Sequence, residues 1–156
     1  NIGKPAQQEL ALGKLLNGMS AEERAALCKE IYVEFFQSAP DAQDYLKQST
    51  TRLHFIAELA LRATLRMYQE PVKSVEEISA LGLRHVGYGI PPELFSPFVS
   101  TYVQSMRKYC THPTQEEAFR WSIGLISRML ARVVSEGSTL VMTAINRNNA
   151  VAVKKA

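Results

Sequence analysis

The residues best suited to chemistry lie in one stretch, Leu81-Gly82-Leu83-Arg84-His85-Val86-Gly87-Tyr88-Gly89-Ile90-Pro91-Pro92-Glu93-Leu94-Phe95. His85 closes an apolar helical segment. Gly87 and Gly89 then let the backbone turn sharply, and Pro91-Pro92 starts the next helix. Such an arrangement holds one imidazole against a flat apolar ligand. Leu81, one turn earlier on the same face, supplies a wall, and Val86 and Ile90 supply others. A neutral imidazole offers one ring nitrogen as a metal ligand while the other donates to a backbone carbonyl, which fixes the tautomer. The plainer use of His85 is to sit at a helix C-terminus, where positive charge is favoured.

The elements that must position this histidine read as helix after helix. Ser20 with Glu23, Ser74 with Glu77 and Thr114 with Glu117 have the spacing of capping boxes. The layout predicted is Lys4 to Leu16, Ala21 to Gln37, a short turn from Pro40 to Lys47, Thr50 to Tyr68, Val75 to Val86, Pro92 to Tyr109, and Gln115 to at least Glu136. Gly137-Ser138-Thr139 is read as an interruption of the last helix, with 139–156 an extension or linker and 1–138 the domain proper. No run alternates apolar and polar residues, so no sheet is expected.

The helix from Thr50 carries a clear apolar stripe of Leu53, Ile56, Ala57, Ala60, Leu61, Thr64, Leu65 and Tyr68. His54, Glu58, Arg62 and Arg66 lie off it, as do Phe55 and Leu59, which are candidates for partner contacts.

Composition sets the outer limits. A chain of 156 residues with 46% hydrophobic and 21% charged residues fits one ordinary globular domain. Its apolar runs are far short of a membrane span, and Asn1 to Asn17 lacks the pattern of a secretory leader. A net charge of +3 with scattered basic residues argues against nucleic acid. Cys28 and Cys110 have no metal or redox spacing and are expected to be reduced, buried thiols of a cytoplasmic protein. Phosphate-loop and zinc-helix motifs are absent. Asp41 and Asp44 form only a solvated acidic pair, and Met67, Met106, Met129 and Met142 are read as core fillers.

The stretch from Leu81 to Phe98, above all Arg84-His85-Val86-Gly87-Tyr88-Gly89-Ile90-Pro91-Pro92-Glu93, resembles the proximal-histidine region of flavohaemoglobin-type globin domains and neighbouring globins. Tyr32-Val33-Glu34-Phe35-Phe36-Gln37-Ser38-Ala39-Pro40 resembles the second globin helix. Glu117-Ala118-Phe119, followed by Gly124, resembles the last one. The likeness covers Lys4 to Glu136, the first helix by position only.

The resemblance implies an all-α globin bundle of about seven to eight helices around a haem pocket. It implies haem b as cofactor, with His85 as the proximal iron ligand. Tyr32 falls at the ligand-facing position of the second helix. A phenol there can donate to a partly negative diatomic gas, an interaction of about 1.5–3 kcal/mol, hence roughly tenfold or more in affinity. The distal wall is either apolar, from Leu53 or Ile56, or the helix rotates and His54 becomes a sixth ligand. Ala57 and Ala60 share that wall. Tyr45 or Leu46 stands where globins place a haem-stacking phenylalanine. Arg84 is a candidate partner for a haem propionate, and Tyr88 and Ile90 complete the proximal side. Phe95 occupies the position of a tyrosine that nitric oxide-oxidising flavohaemoglobins carry.

The implied role is reversible binding of O2, NO or CO. The opening at Asn1 and the extension past Glu136 suggest a sensor module of a larger protein. A homodimer through the last two helices and an attached effector domain are the partners expected. Two alternatives stand beside it. One is nitric oxide dioxygenation with a separate reductase. The other is a haem-free helical interaction module using Phe55, Leu59 and the last two helices.

Overall fold

The computed structural model describes the backbone from Lys4 to Lys155. Asn1–Gly3, where the leader-free start was read, and Ala156, the end of the expected extension, lie outside the described residues, as do the side chains of Val141 and 149–155. Six α-helices account for the fold: α1 Lys4–Gly18, α2 Ala21–Ser38, α3 Thr50–Gln69, α4 Pro71–Gly87, α5 Phe95–Met106 and α6 Pro113–Lys155. Short 3-10 turns at Pro40–Asp44, Pro92–Leu94 and Arg107–Tyr109 join them. No strand occurs among the described residues.

The expected seven to eight helices reduce to six for two reasons. The short third element is a 3-10 turn, opened by Pro40. The last helix does not break at Gly137 but runs through it for 43 residues, about 64 Å at the usual rise. Gly137 is there for packing. A Cβ added to it would stand 2.8 Å from a methyl of Val86.

Local chemistry sets the helix ends. The Ser20–Glu23 capping box forms in both directions, each bond 3.1 Å. Ser49 caps α3 by accepting from the Arg52 N–H at 3.2 Å. The other two expected boxes do not form. Pro71 fits the first helical position and starts α4 before Ser74, which is left inside the helix. At α6 the start moves to Pro113, where the His112 ring nitrogen Nδ1 accepts from the Thr114 N–H. Gln115 reaches back to the Thr111 N–H at 2.8 Å.

The main core gathers Leu12, Leu15, Leu27, Ile31, Leu61, Tyr102, Met106 and Phe119 from α1, α2, α3, α5 and α6. Two smaller apolar clusters accompany it, the first joined to it through Phe98. One is built on Cys28, Tyr32 and Ala57, with Phe36, Leu46, Leu53 and Phe98 against them. The other is built on Met67, Ile78 and Leu130, with Leu81, Phe95, Leu125, Ile126 and Met129. Helices α3 and α5 contribute to both. Cys28 is buried as expected, whereas Cys110 is only half-buried, its thiol 3.6 Å from the Met106 carbonyl.

Candidate functional site

His85 sits in the last turn of α4, half-buried. Its Nδ1 lies 2.8 Å from the Leu81 carbonyl oxygen. A carbonyl can only accept, so Nδ1 carries a proton, and in the neutral ring the lone pair is then on Nε2. The ring therefore presents a metal-ligating nitrogen with its tautomer fixed, which is the arrangement a proximal ligand requires. Phe95 flanks the ring at 5.7 Å between centroids and Tyr88 at 6.2 Å.

Two features hold this histidine in place. The first is the corner beyond it. Tyr88 N–H donates to the Arg84 carbonyl, Gly89 N–H to Val86 and Ile90 N–H to His85 itself, at 3.1, 3.0 and 3.3 Å. Gly89 takes φ +69°, a conformation that other residues adopt only with strain. The second is a close approach of α4 and α6. A Cβ on Gly82 would meet Val133 Cγ1 at 2.6 Å and Cβ at 2.8 Å, and Gly137 takes Val86 in the same way. Each helix thus offers a glycine to a valine of the other, and His85 lies between the two contacts.

Leu53, Ile56 and Ala60 on α3, Leu46 before it, Leu81 and Val86 on α4, and Ile90 and Phe95 beyond are all apolar yet only half-buried. Ala57 is fully buried. These side chains fall in separate clusters, Leu46 and Leu53 beside Tyr32, Leu81 and Phe95 beside Ile78, and Ala60 against the main core. Of the two candidate stacking residues, Leu46 packs into the Tyr32 cluster, and Tyr45 is 41% exposed outside it. Arg84 and Tyr88 are exposed, Tyr88 at 69%. His54 is half-buried.

Tyr32 is buried between Phe36 and Phe98, its hydroxyl donating to the Leu53 carbonyl at 2.7 Å. Burial, and then the neighbouring Cys28, push its ionisation well above the ordinary phenol range. It is therefore a neutral donor at any physiological pH. Burial, followed by Glu58, also raises the Cys28 thiol to about 11.

Sequence reasoning missed Phe36, Phe98 and Tyr102. Tyr102 is fully buried and donates to the Ala57 carbonyl at 2.6 Å, one turn along α3 from the Tyr32 bond. Cys28, Tyr32 and Phe36 fall at i, i+4 and i+8, and Phe95, Phe98 and Tyr102 at i, i+3 and i+7, so both stripes were there to be read. The half-buried Leu125 and Ile126 of α6, in the same cluster as Leu81 and Phe95, were also missed, whereas Met129 packs there as a core filler.

No three metal-ligating side chains come together among the described residues. A lone imidazole such as His85 suits a metal already held by a ring, as in haem, where the protein adds an axial nitrogen. The site offers that nitrogen, with Phe95, Tyr88 and Leu81 near it. No protein-family model matches the chain, and no curated protein is significantly similar to it.

Proposed function

We propose that this chain is a globin-type domain that holds haem b through His85 and binds a diatomic gas, serving as a sensor module. The observation that carries the reading is the His85 Nδ1 bond to the Leu81 carbonyl, which leaves Nε2 as the axial donor. Haem, when bound, supplies an iron with a coordination position open to O2, NO or CO.

The chain's own residues do the rest. Leu81 and Phe95 would offer apolar surface on the His85 side, and Leu46 and Leu53 on the Tyr32 side. Tyr32, kept protonated by its burial, is the donor for a gas with partial negative charge. To reach it the hydroxyl must leave the Leu53 carbonyl, an acceptor that Ala57 N–H also serves within α3. Arg84, exposed next to His85, is available to a propionate.

The sensor role rests on α6. A shift of His85 moves α4, and the Gly82–Val133 and Val86–Gly137 contacts pass that shift to α6. Residues 138–140 and 142–148 of α6 are exposed, a face open to an effector domain or a second copy. No helix among the described residues is long and apolar enough to cross a membrane.

The Tyr32–Leu53 bond favours a second reading for Tyr32, as a packing residue with no ligand role. Gas dissociation from the haem-loaded, reduced protein separates the two. With Tyr32→Phe, O2 should leave roughly tenfold faster or more, while CO, a poorer acceptor, should change little. Equal O2 rates would assign Tyr32 to packing. Failure to bind either gas would refute the proposed function.

A further inference from the structure

Helix α3 carries a row of carbonyls that accept side-chain hydroxyls from three other helices. Tyr32 of α2 donates to the Leu53 carbonyl at 2.7 Å, Tyr102 of α5 to Ala57 at 2.6 Å, and Ser122 of α6 to Thr64 at 2.7 Å. At about 100° per residue, the three acceptors lie within about 40° of one line along the helix. Each also serves the N–H four residues on, which its second lone pair allows. The hydroxyls are thus pins that draw α3 onto its neighbours, added to a complete helical ladder.

The pins differ in how firmly they are held. Tyr102 is fully buried in the main core, its ring flanked by Phe98 at 5.7 Å and Phe119 at 5.5 Å. Tyr32 stands at the end of the row, in the smaller cluster with Phe36, Leu46 and Leu53. Tyr102 is therefore the fixed pin, and Tyr32 is the one that can let go. The two are one turn apart, about 6 Å along the axis, and Phe98 packs against both rings. The Ser122 pin is eleven residues from Leu53, about 16 Å away.

A phenol that donates to a carbonyl must give up that bond to donate to a gas. The rival bond therefore weakens the hold on any gas that Tyr32 contacts. We propose that Tyr102 is a positioning residue: by fastening α3 at Ala57 it keeps the Leu53 carbonyl on Tyr32, and so lowers the affinity for O2 relative to CO. The inference rests on the gas-binding reading above. Loss of the Tyr102 hydroxyl lets the start of α3 relax from α2, which weakens the rival bond and frees Tyr32 for O2. CO, a poorer acceptor, draws little on Tyr32 in either case.

Two measurements test it on Tyr102→Phe, Tyr32→Phe, the double variant and Ser122→Ala. Tyr102→Phe keeps the ring, and circular dichroism will verify that all four fold. The first measurement is the equilibrium affinity of the haem-loaded, reduced chain for O2 and for CO. Tyr102→Phe should bind O2 about twofold to tenfold more tightly, the span of one net hydrogen bond, with CO little changed. In the Tyr32→Phe background the same substitution should leave O2 unchanged. Ser122→Ala removes the pin at the far end, and should lower stability while leaving the O2-to-CO ratio as it is. The second measurement needs no haem. In urea unfolding of the haem-free chain, Tyr32→Phe should cost less in the Tyr102→Phe background than in the wild type. O2 binding unchanged or weakened in Tyr102→Phe, an equal gain without Tyr32, an equal shift in Ser122→Ala, or additive unfolding losses would each overturn the proposal. Any of these in a chain whose wild type binds both gases refutes this inference alone. A wild type that binds neither gas refutes the gas-binding reading, and this inference with it.

Discussion

Gly82→Ala is the most informative single change, because it adds one methyl where α4 and α6 are closest. The new Cβ would stand 2.6 Å from Val133 Cγ1 and 2.8 Å from Val133 Cβ. Carbon atoms prefer about 3.5–4.0 Å, so roughly 1 Å must be found. A rotation of Val133 moves its Cγ atoms but leaves its Cβ in place, so the helices themselves must separate. Overpacking of this kind costs about 1–3 kcal/mol, against a gain of about 0.8–1 kcal/mol for alanine over glycine in a helix. The net loss expected is about 0–2 kcal/mol, or up to about 8 °C in Tm for a domain of this size. In a Val133→Gly background the obstructing Cβ is gone, and the same change should stabilise by about 1 kcal/mol, the helix gain alone. Urea unfolding of the four proteins in this cycle reads the reversal of sign. Gly137→Ala should cost less, since its Cβ meets only one Val86 methyl closely, the Val86 Cβ lying 3.7 Å away. If Gly82→Ala stabilised equally in both backgrounds, the α4–α6 contact would not set the position of His85.

Other outcomes follow from single groups. The Ser74 hydroxyl is buried in α4 without a hydrogen-bond partner. Ser74→Ala should therefore stabilise the chain by about 1 kcal/mol in urea unfolding, and a loss of that size would mean that the hydroxyl is bonded. Burial raises Cys28 from 9.0 to about 11, and burial with Glu117 raises Tyr68 from 10.0 to about 12. Both acids hold their protons longer in the folded chain than in the unfolded one. Their contribution is complete below pH 9 and is lost as pH rises through about 11 and 12. Stability followed from pH 8 to 11 should fall accordingly, and Cys28→Ala should flatten the first part of the fall. An unchanged slope in Cys28→Ala would place the loss elsewhere.

Much of the helical framework is legible in the sequence because its signals are local. The Ser20 box, the α3 stripe and the break at Gly89 each depend on residues within a turn or two of one another. The misreadings occur where two local signals compete. Pro71 and the Ser74–Glu77 spacing both announce a start for α4, and the proline prevails because its fixed φ suits the first helical position. Gly137 reads as a break because glycine lowers helix propensity, yet its missing side chain is what admits Val86.

The site was legible in part. His85 and its Leu81 neighbour can be read from spacing alone, since the bond between them spans one helical turn. The Tyr32–Leu53 and Tyr102–Ala57 bonds cannot, because each joins helices far apart in the chain. Leu46 and Tyr45 could not be told apart for a similar reason. They are adjacent in sequence, and only the turn after Pro40–Asp44 sends one inward and the other to solvent.

The central claim is that His85 is an axial haem ligand. The measurement that tests it most directly is the absorption spectrum of the purified chain titrated with haem, for wild type, His85→Gly, and His85→Gly with added imidazole. The account predicts a sharp Soret band that saturates at one haem per chain, is lost or shifted in His85→Gly, and returns with imidazole in the vacated space. No saturable band in the wild type, or the same band in His85→Gly without imidazole, would contradict it.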